Sequence, residues 1–248
     1  MCVWSGPRNV STALMYSFAQ RADTRAVDEP LYAHYLRVSA AQHPGREEVL
    51  AHQDSDGERV AREVVLGACD RPVAFFKMMA HHLVELDLDT WQRTLLERVT
   101  NVLLVRDPQA MLISLAKVLG TPQLKDTGLG AQVEILERLE RKGIDVPVLD
   151  AREVLLDPRG VLGELCERVG IAFDERMLSW PAGPKPEDGV WAKHWYAQVH
   201  RSTGFEAWTE RNAPVPPELR SLLEQCHALY ERLYAKAIRA RPAARSRS

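Results

Sequence analysis

The 248-residue chain is 46% hydrophobic, enough to bury one sizeable α/β core. Its 32 lysines and arginines against 34 aspartates and glutamates leave a formal net charge of −2, which argues against a nucleic-acid or membrane-surface binder and confines any anion site to a local patch. Four scattered cysteines without a C-x-x-C pair, no basic-then-apolar leader and no apolar run near the roughly 18 residues that span a bilayer point to a soluble, unexported cytoplasmic protein with neither a disulfide framework nor a zinc site.

Cys2-Val3-Trp4 reads as a short first strand and Gly6-Pro7 as a turn. A helix follows from Ser11 to Arg21, because Leu14, Met15 and Phe18 recur at helical spacing and Ser11 or Thr12 is suited to cap its first turn. Thr24 to Val27 forms a second strand ending at Asp28-Glu29-Pro30, ahead of a polar helical region over 31–68. Val73-Ala74-Phe75-Phe76 is apolar throughout, as in a strand buried on both faces, and ends at Lys77 before Met78-Met79-Ala80-His81-His82. Asn101 to Val105 repeats that pattern and ends in Arg106-Asp107-Pro108. There Asp107 caps a helix with Pro108 at its first position and Met111, Leu112, Leu115 and Val118 facing inward.

Residues 126–142 read as an amphipathic helix, Val146 to Asp150 as a fifth strand, and Arg159 to Val169 as a helix stopped by Gly170. The pattern is irregular from Pro181 to Phe205, and a last amphipathic helix runs from Pro217 to Arg239. Strands alternating with helices imply a parallel sheet in a single domain over 1–240, with 241–248 as a disordered basic tail.

The strand-loop-helix around WSGPRNVST has the outline of an anion site, since loop amides and the helix dipole converge on one point. A nucleotide-hydrolysing loop needs G-x-x-x-x-G-K-[ST]. Here the second glycine and the lysine are missing, which disfavours a plain ATPase or GTPase, and Arg8 supplies a different cation. The bland reading is a turn followed by a helix cap.

WSGPRNVSTAL together with LLVRDPQAMLIS resembles the sulfotransferase family that uses 3′-phosphoadenosine-5′-phosphosulfate (PAPS) as donor. The resemblance implies a P-loop-NTPase-like three-layer α/β/α fold with a central parallel sheet of about five strands and a C-terminal helix. It implies that Gly6, Pro7, Arg8, Asn9, Val10, Ser11 and Thr12 bind the 5′-phosphosulfate, and that Arg106 and Ser114 bind the 3′-phosphate. It further implies sulfuryl transfer to a hydroxyl or amine of a small-molecule or sugar acceptor, with 3′,5′-adenosine bisphosphate as product and no metal. The spacing from Arg106 to Ser114, about two helical turns, also stands on its own, because an Arg-Ser pair offers donors to a phosphate; the bland alternative pairs Arg106 with a carboxylate.

By the same resemblance Lys77 stabilises the bridging oxygen and His81 or His82 takes the acceptor's proton, although the cytosolic members have Lys-x-His rather than this longer gap. Glu29 competes as the base, since it ends a strand where open α/β sheets bind ligands. The segment GPKPEDGVWAKHWY, with Lys185, Trp191, Lys193 and Trp195, closes over donor or acceptor, or supplies a core stripe; it lacks the Arg-Lys-Gly triplet of the cytosolic members. Two other readings stay open: an atypical P-loop small-molecule kinase, and a non-catalytic nucleotide-binding member of the fold. A small-molecule acceptor is the expected partner, nucleic acid and membrane are not, and a homodimer is left open.

Overall fold

The computed structural model describes residues 1–209 and 213–241. Among them a five-stranded, all-parallel sheet is built from β1 (Cys2–Ser5), β2 (Thr24–Asp28), β3 (Val73–Met79), β4 (Asn101–Val105) and β5 (Val148–Asp150), in the order β2-β3-β1-β4-β5. Alternation along the strands explains why they are apolar throughout. Trp4, Phe76, Met78, Leu103 and Val105 enter one buried cluster, while Val3, Phe75, Val102, Leu104 and Leu149 enter the cluster on the opposite face. Helices cover both faces, giving the expected three layers.

On one face lies α1 (Ser11–Ala19), whose Leu14, Met15 and Phe18 pack on the sheet; Phe18 stacks on Phe75 with ring centroids 4.7 Å apart. The polar region after β2 divides into α2 (Tyr32–Ser39), α3 (Arg46–His52) and α4 (Gly57–Val60), the last continuing as a π-helical turn over Ala61–Val65. Left-handed backbone at Ala40 and Gly45 separates the first two, and Asp56 starts α4 by accepting from the Glu58 and Arg59 amides.

β3 runs two residues past Lys77, so that this lysine sits inside the sheet beside Val3 and Asp28 rather than beyond its edge. After α5 (Leu88–Thr94) and β4 comes α6 (Pro108–Leu119), with Pro108 in its first turn and Asp107 accepting from the Ala110 amide at 2.9 Å, as the sequence indicates. Val118 departs from expectation. It is 42% exposed, because α6 outruns the core after Leu115.

The amphipathic stretch over 126–142 is two helices, α7 (Leu124–Thr127) and α8 (Leu129–Glu140), broken at Gly128 with φ +75°. The sequence reading missed α9 (Ala151–Leu156), which leaves β5 directly because Asp150 accepts from the Arg152 and Glu153 amides and serves as its cap. Then come α10 (Pro158–Arg168), the short α11 (Ala192–Trp195) within the irregular segment, and α12 (Arg220–Tyr234), shorter than the 217–239 expected. Beyond α12 the Ile238 amide bonds the Val148 carbonyl, holding the stretch that follows α12 to β5. No described helix is long and apolar enough to cross a membrane. Residues 242–248 of the basic tail lie outside the described residues.

Candidate functional site

The strand order decides where a ligand can sit. The connection leaving β1 runs toward β2 and the one leaving β4 runs toward β5, so the carboxyl ends of β1 and β4 flank the switch point of the sheet. These strands pair directly, with Ser5 opposite Leu104, which brings together the loop over 6–10 and Arg106, Arg8 and Arg106 being 98 positions apart in the sequence. Gln132 on α8 holds both strand ends, donating to the carbonyls of Trp4 at 2.8 Å and Leu104 at 2.9 Å. Asn9 donates to the same Leu104 carbonyl at 3.0 Å.

Arg8 has a left-handed backbone, φ +61°, uncommon for a non-glycine residue. Its carbonyl accepts from the Arg106 guanidinium, and its own Nε donates to Ser114 Oγ at 2.9 Å. The two motifs are thus one structure. The cap expected from Ser11 or Thr12 is not formed: the capping position falls on Val10, and no side chain among the described residues caps α1. The amides of its first turn therefore face the loop without a side-chain acceptor, which is what an anion requires.

Gly6 lies beneath this loop. A Cβ built on it would stand 2.5 Å from the Thr127 carbonyl oxygen, backbone that cannot swing aside. Gly6→Ala is therefore expected to cost about 1–3 kcal/mol by overpacking. Chemical denaturation checks this, and an unchanged midpoint would contradict the close approach.

The second half of the site is a buried charge cluster. Lys77 Nζ is 2.9 Å from Asp28 Oδ1, 2.5 Å from Glu29 Oε1 and 2.6 Å from the Tyr196 hydroxyl, so all three of its N–H donors are used. Burial opposes its charge, but the carboxylates of Asp28 and Glu29 outweigh that and hold the ammonium above its ordinary value. Two carboxylates against one ammonium leave the cluster an excess negative charge. Burial, reinforced by Asp28 and offset by Lys77, raises the Glu29 carboxyl above the usual carboxylate range. Glu29 also has φ +37° immediately before Pro30, a conformation maintained by its amide bonding to the Lys77 carbonyl at 3.0 Å and by Gln53 donating to its carbonyl at 3.2 Å.

Beside Glu29 stands a wall of rings. His82 lies between Tyr32 and Tyr35, with centroids 5.1 and 4.7 Å away and nearly parallel planes, and its Nε2 is 4.0 Å from Glu29 Oε2, beyond hydrogen-bond reach. Burial, with His43 as neighbour, lowers His81 to about 3, and burial with His81 and His43 nearby lowers His82 well below its ordinary value. Burial thus disfavours the protonated form of both rings, and the Nδ1 of each is buried without a hydrogen-bond partner among the described residues.

A cleft of about 460 Å³ joins the two halves. Residues 7–12, Arg106 and Ser114 line it where they follow β1 and β4; Glu29, Lys77, His81 and His82 line it from β2 and β3, on the other side of β1 in the sheet order. Every residue expected at the site lines this cleft except Gly6, which supports it from below. Trp191 and Trp195 also line it, the former buried against Tyr32, while the Lys185 ammonium turns away to the Pro181 and Gly183 carbonyls and Lys193 pairs with Glu48. Sequence reasoning missed Asp28, Gln132, Tyr196 and His43. Adjacency to Glu29 was a signal for Asp28; nothing in the local sequence marks the other three.

The family profile described as "Sulfotransferase domain" matches residues 1–237. Among curated proteins, branched-chain-amino-acid aminotransferase-like proteins 1 and 2 of Arabidopsis thaliana are 40% and 37% identical over 227 residues, 92% of this chain. The chain spans 40% of the length of each of these relatives, so their names describe longer proteins. Among solved structures, the sulfotransferase domain from the curacin biosynthetic pathway superposes with a TM-score of 0.53 at 13% identity, covering 91% of this chain and 96% of that one, a likeness of fold.

Proposed function

This chain belongs to the sulfotransferase domain family, and from that premise we propose that it transfers the sulfuryl group of PAPS to a hydroxyl or amine of a small-molecule acceptor. The observation that carries the reading is the joining of Arg8 to Ser114 and of Arg106 to the Arg8 carbonyl across the switch point, beside the uncapped start of α1. Two anionic groups of one ligand fit this end of the cleft: a 5′-phosphosulfate on the loop amides and a 3′-phosphate at Arg106 and Ser114.

In the transfer, the acceptor oxygen or nitrogen attacks sulfur in line as the bond from sulfur to the bridging oxygen breaks. The electron pair leaves on the 5′-phosphate of 3′,5′-adenosine bisphosphate. The amide N–H groups of residues 6 and 8–12 with the Arg8 guanidinium stabilise that growing charge, a role in which single donors are typically worth about 3 kcal/mol. The acceptor's proton goes to Glu29, preferred over His82 because its side chain is 12% exposed against 2% for His82, and over both histidines because burial raises its carboxyl while it disfavours the protonated imidazoles. Lys77, with its donors engaged, sets the charge of Glu29 in this scheme rather than reaching the bridging oxygen.

The test is incubation of the chain with sulfur-35-labelled PAPS and a mixed panel of phenols, alcohols, sugars and amines. Label appearing in an organic product, with equimolar 3′,5′-adenosine bisphosphate and without added magnesium, is the expected result. Phosphoryl transfer from Mg-ATP with no sulfuryl transfer would replace this reading with the kinase.

A further inference from the structure

The segment over 184–205 is tied to the core at two places. Near its start, Asp188 accepts from the Tyr16 hydroxyl on α1 at 2.5 Å and stands 2.9 Å from His200 Nε2. At its centre, the Tyr196 hydroxyl meets the charge cluster. That hydroxyl donates its one proton to Asp28 (Oδ2 at 2.7 Å) and accepts from Lys77 Nζ at 2.6 Å and from Trp191 Nε1 at 3.1 Å, which uses one donor and two acceptor positions in full. The Gly189 amide adds a bond to Asp28 Oδ2 at 3.2 Å. The segment whose Trp191 and Trp195 line the cleft is thus fastened to the same two side chains that neighbour Glu29.

We propose that Tyr196 is a positioning residue for the base: its hydroxyl joins the 184–205 segment to Asp28 and Lys77, so that the seating of the segment and the charge of Glu29 are set together. This rests on Glu29 as the base of the transfer. The groups facing Glu29 are Asp28 from β2, Lys77 from β3, Tyr196 from the segment, His82 just after β3 and Tyr32 from α2. Among these, the Tyr196 proton disperses charge on Asp28. Without it the charge on Asp28 is no longer dispersed, its repulsion on Glu29 grows, and Glu29 holds a proton more tightly.

Carbon-13 NMR titration of side-chain carboxyls, with the Glu29 signal assigned by its loss in Glu29→Gln, reads this without knowledge of the acceptor. In Tyr196→Phe the Glu29 midpoint is expected to rise by about half to one pH unit, the scale of one hydrogen bond. Replacing Tyr196 with 3-fluorotyrosine retains the hydroxyl and strengthens it as a donor, so the midpoint is expected to fall; this protein carries the test alone if the phenylalanine variant does not fold. A Glu29 midpoint unmoved, or moved in the opposite sense, in a folded variant overturns the proposal. Calorimetry with 3′,5′-adenosine bisphosphate on the same samples separates the two readings. Affinity unchanged within twofold is expected because the donor end is untouched, whereas no binding even by wild type would remove the sulfotransferase reading and leave the Glu29 result to stand by itself.

Discussion

Glu29→Gln is expected to lower turnover of sulfuryl transfer about 10²- to 10⁴-fold, the usual contribution of a positioned general base. The substitution retains the size of the side chain and removes only its capacity to take a proton. It also leaves Lys77 paired with Asp28, one ammonium to one carboxylate, so the buried cluster becomes neutral and the fold is expected to hold. Binding of 3′,5′-adenosine bisphosphate should be unaffected, because Glu29 follows β2 and Arg106 follows β4, with β3 and β1 between those strands in the sheet. The pH profile carries the same information. A base must be unprotonated to act, so wild-type kcat/KM falls as pH drops through the Glu29 value, which burial has raised above the ordinary carboxylate range. Turnover by Glu29→Gln at the wild-type rate, or an acidic limb reflecting a histidine, would transfer the role to His82 or His81.

The largest effect on stability is expected from Lys77→Met. Methionine fills similar volume but leaves Asp28 and Glu29 buried without a counter-ion, and breaking one partner out of a buried pair typically costs about 3–5 kcal/mol. The loss depends on pH with a definite sign. Without the ammonium, the folded-state value of Glu29, already raised, rises further above its unfolded value. The folded protein therefore favours the protonated carboxyl, so the deficit is small below the unfolded value and grows as pH rises through the folded one. Urea unfolding of wild type and variant at pH 5 and pH 8 measures this. An equal deficit at both would mean that Lys77 contributes packing alone.

How much of this was readable beforehand varies from residue to residue. The sheet was legible because a parallel strand buried on both faces writes an uninterrupted apolar run, as in Asn101 to Val105, and the Arg106–Ser114 spacing was legible because one helix fixes it. Local patterning failed where long-range partners decide. Lys77 reads as the polar end of a strand, yet it lies two residues inside β3, since its acceptors come from β2 and from Tyr196, 119 positions away. Ser11 and Thr12 read as caps, yet Val10 takes that position. Val118 follows the helical period of Met111 and Leu115 but lies past the end of the surface those residues cover.

The central claim is that one end of the cleft is built for a ligand bearing separate 5′ and 3′ phosphates. Isothermal calorimetry of the whole chain with 3′,5′-adenosine bisphosphate, and with ATP plus magnesium, tests it most directly when repeated on Arg106→Ala. The account predicts metal-independent binding of the bisphosphate that the substitution weakens by about 1.5 kcal/mol or more, roughly tenfold, as for a hydrogen bond to a charged group. Equal or tighter binding of Mg-ATP, or bisphosphate binding indifferent to Arg106→Ala, would contradict it.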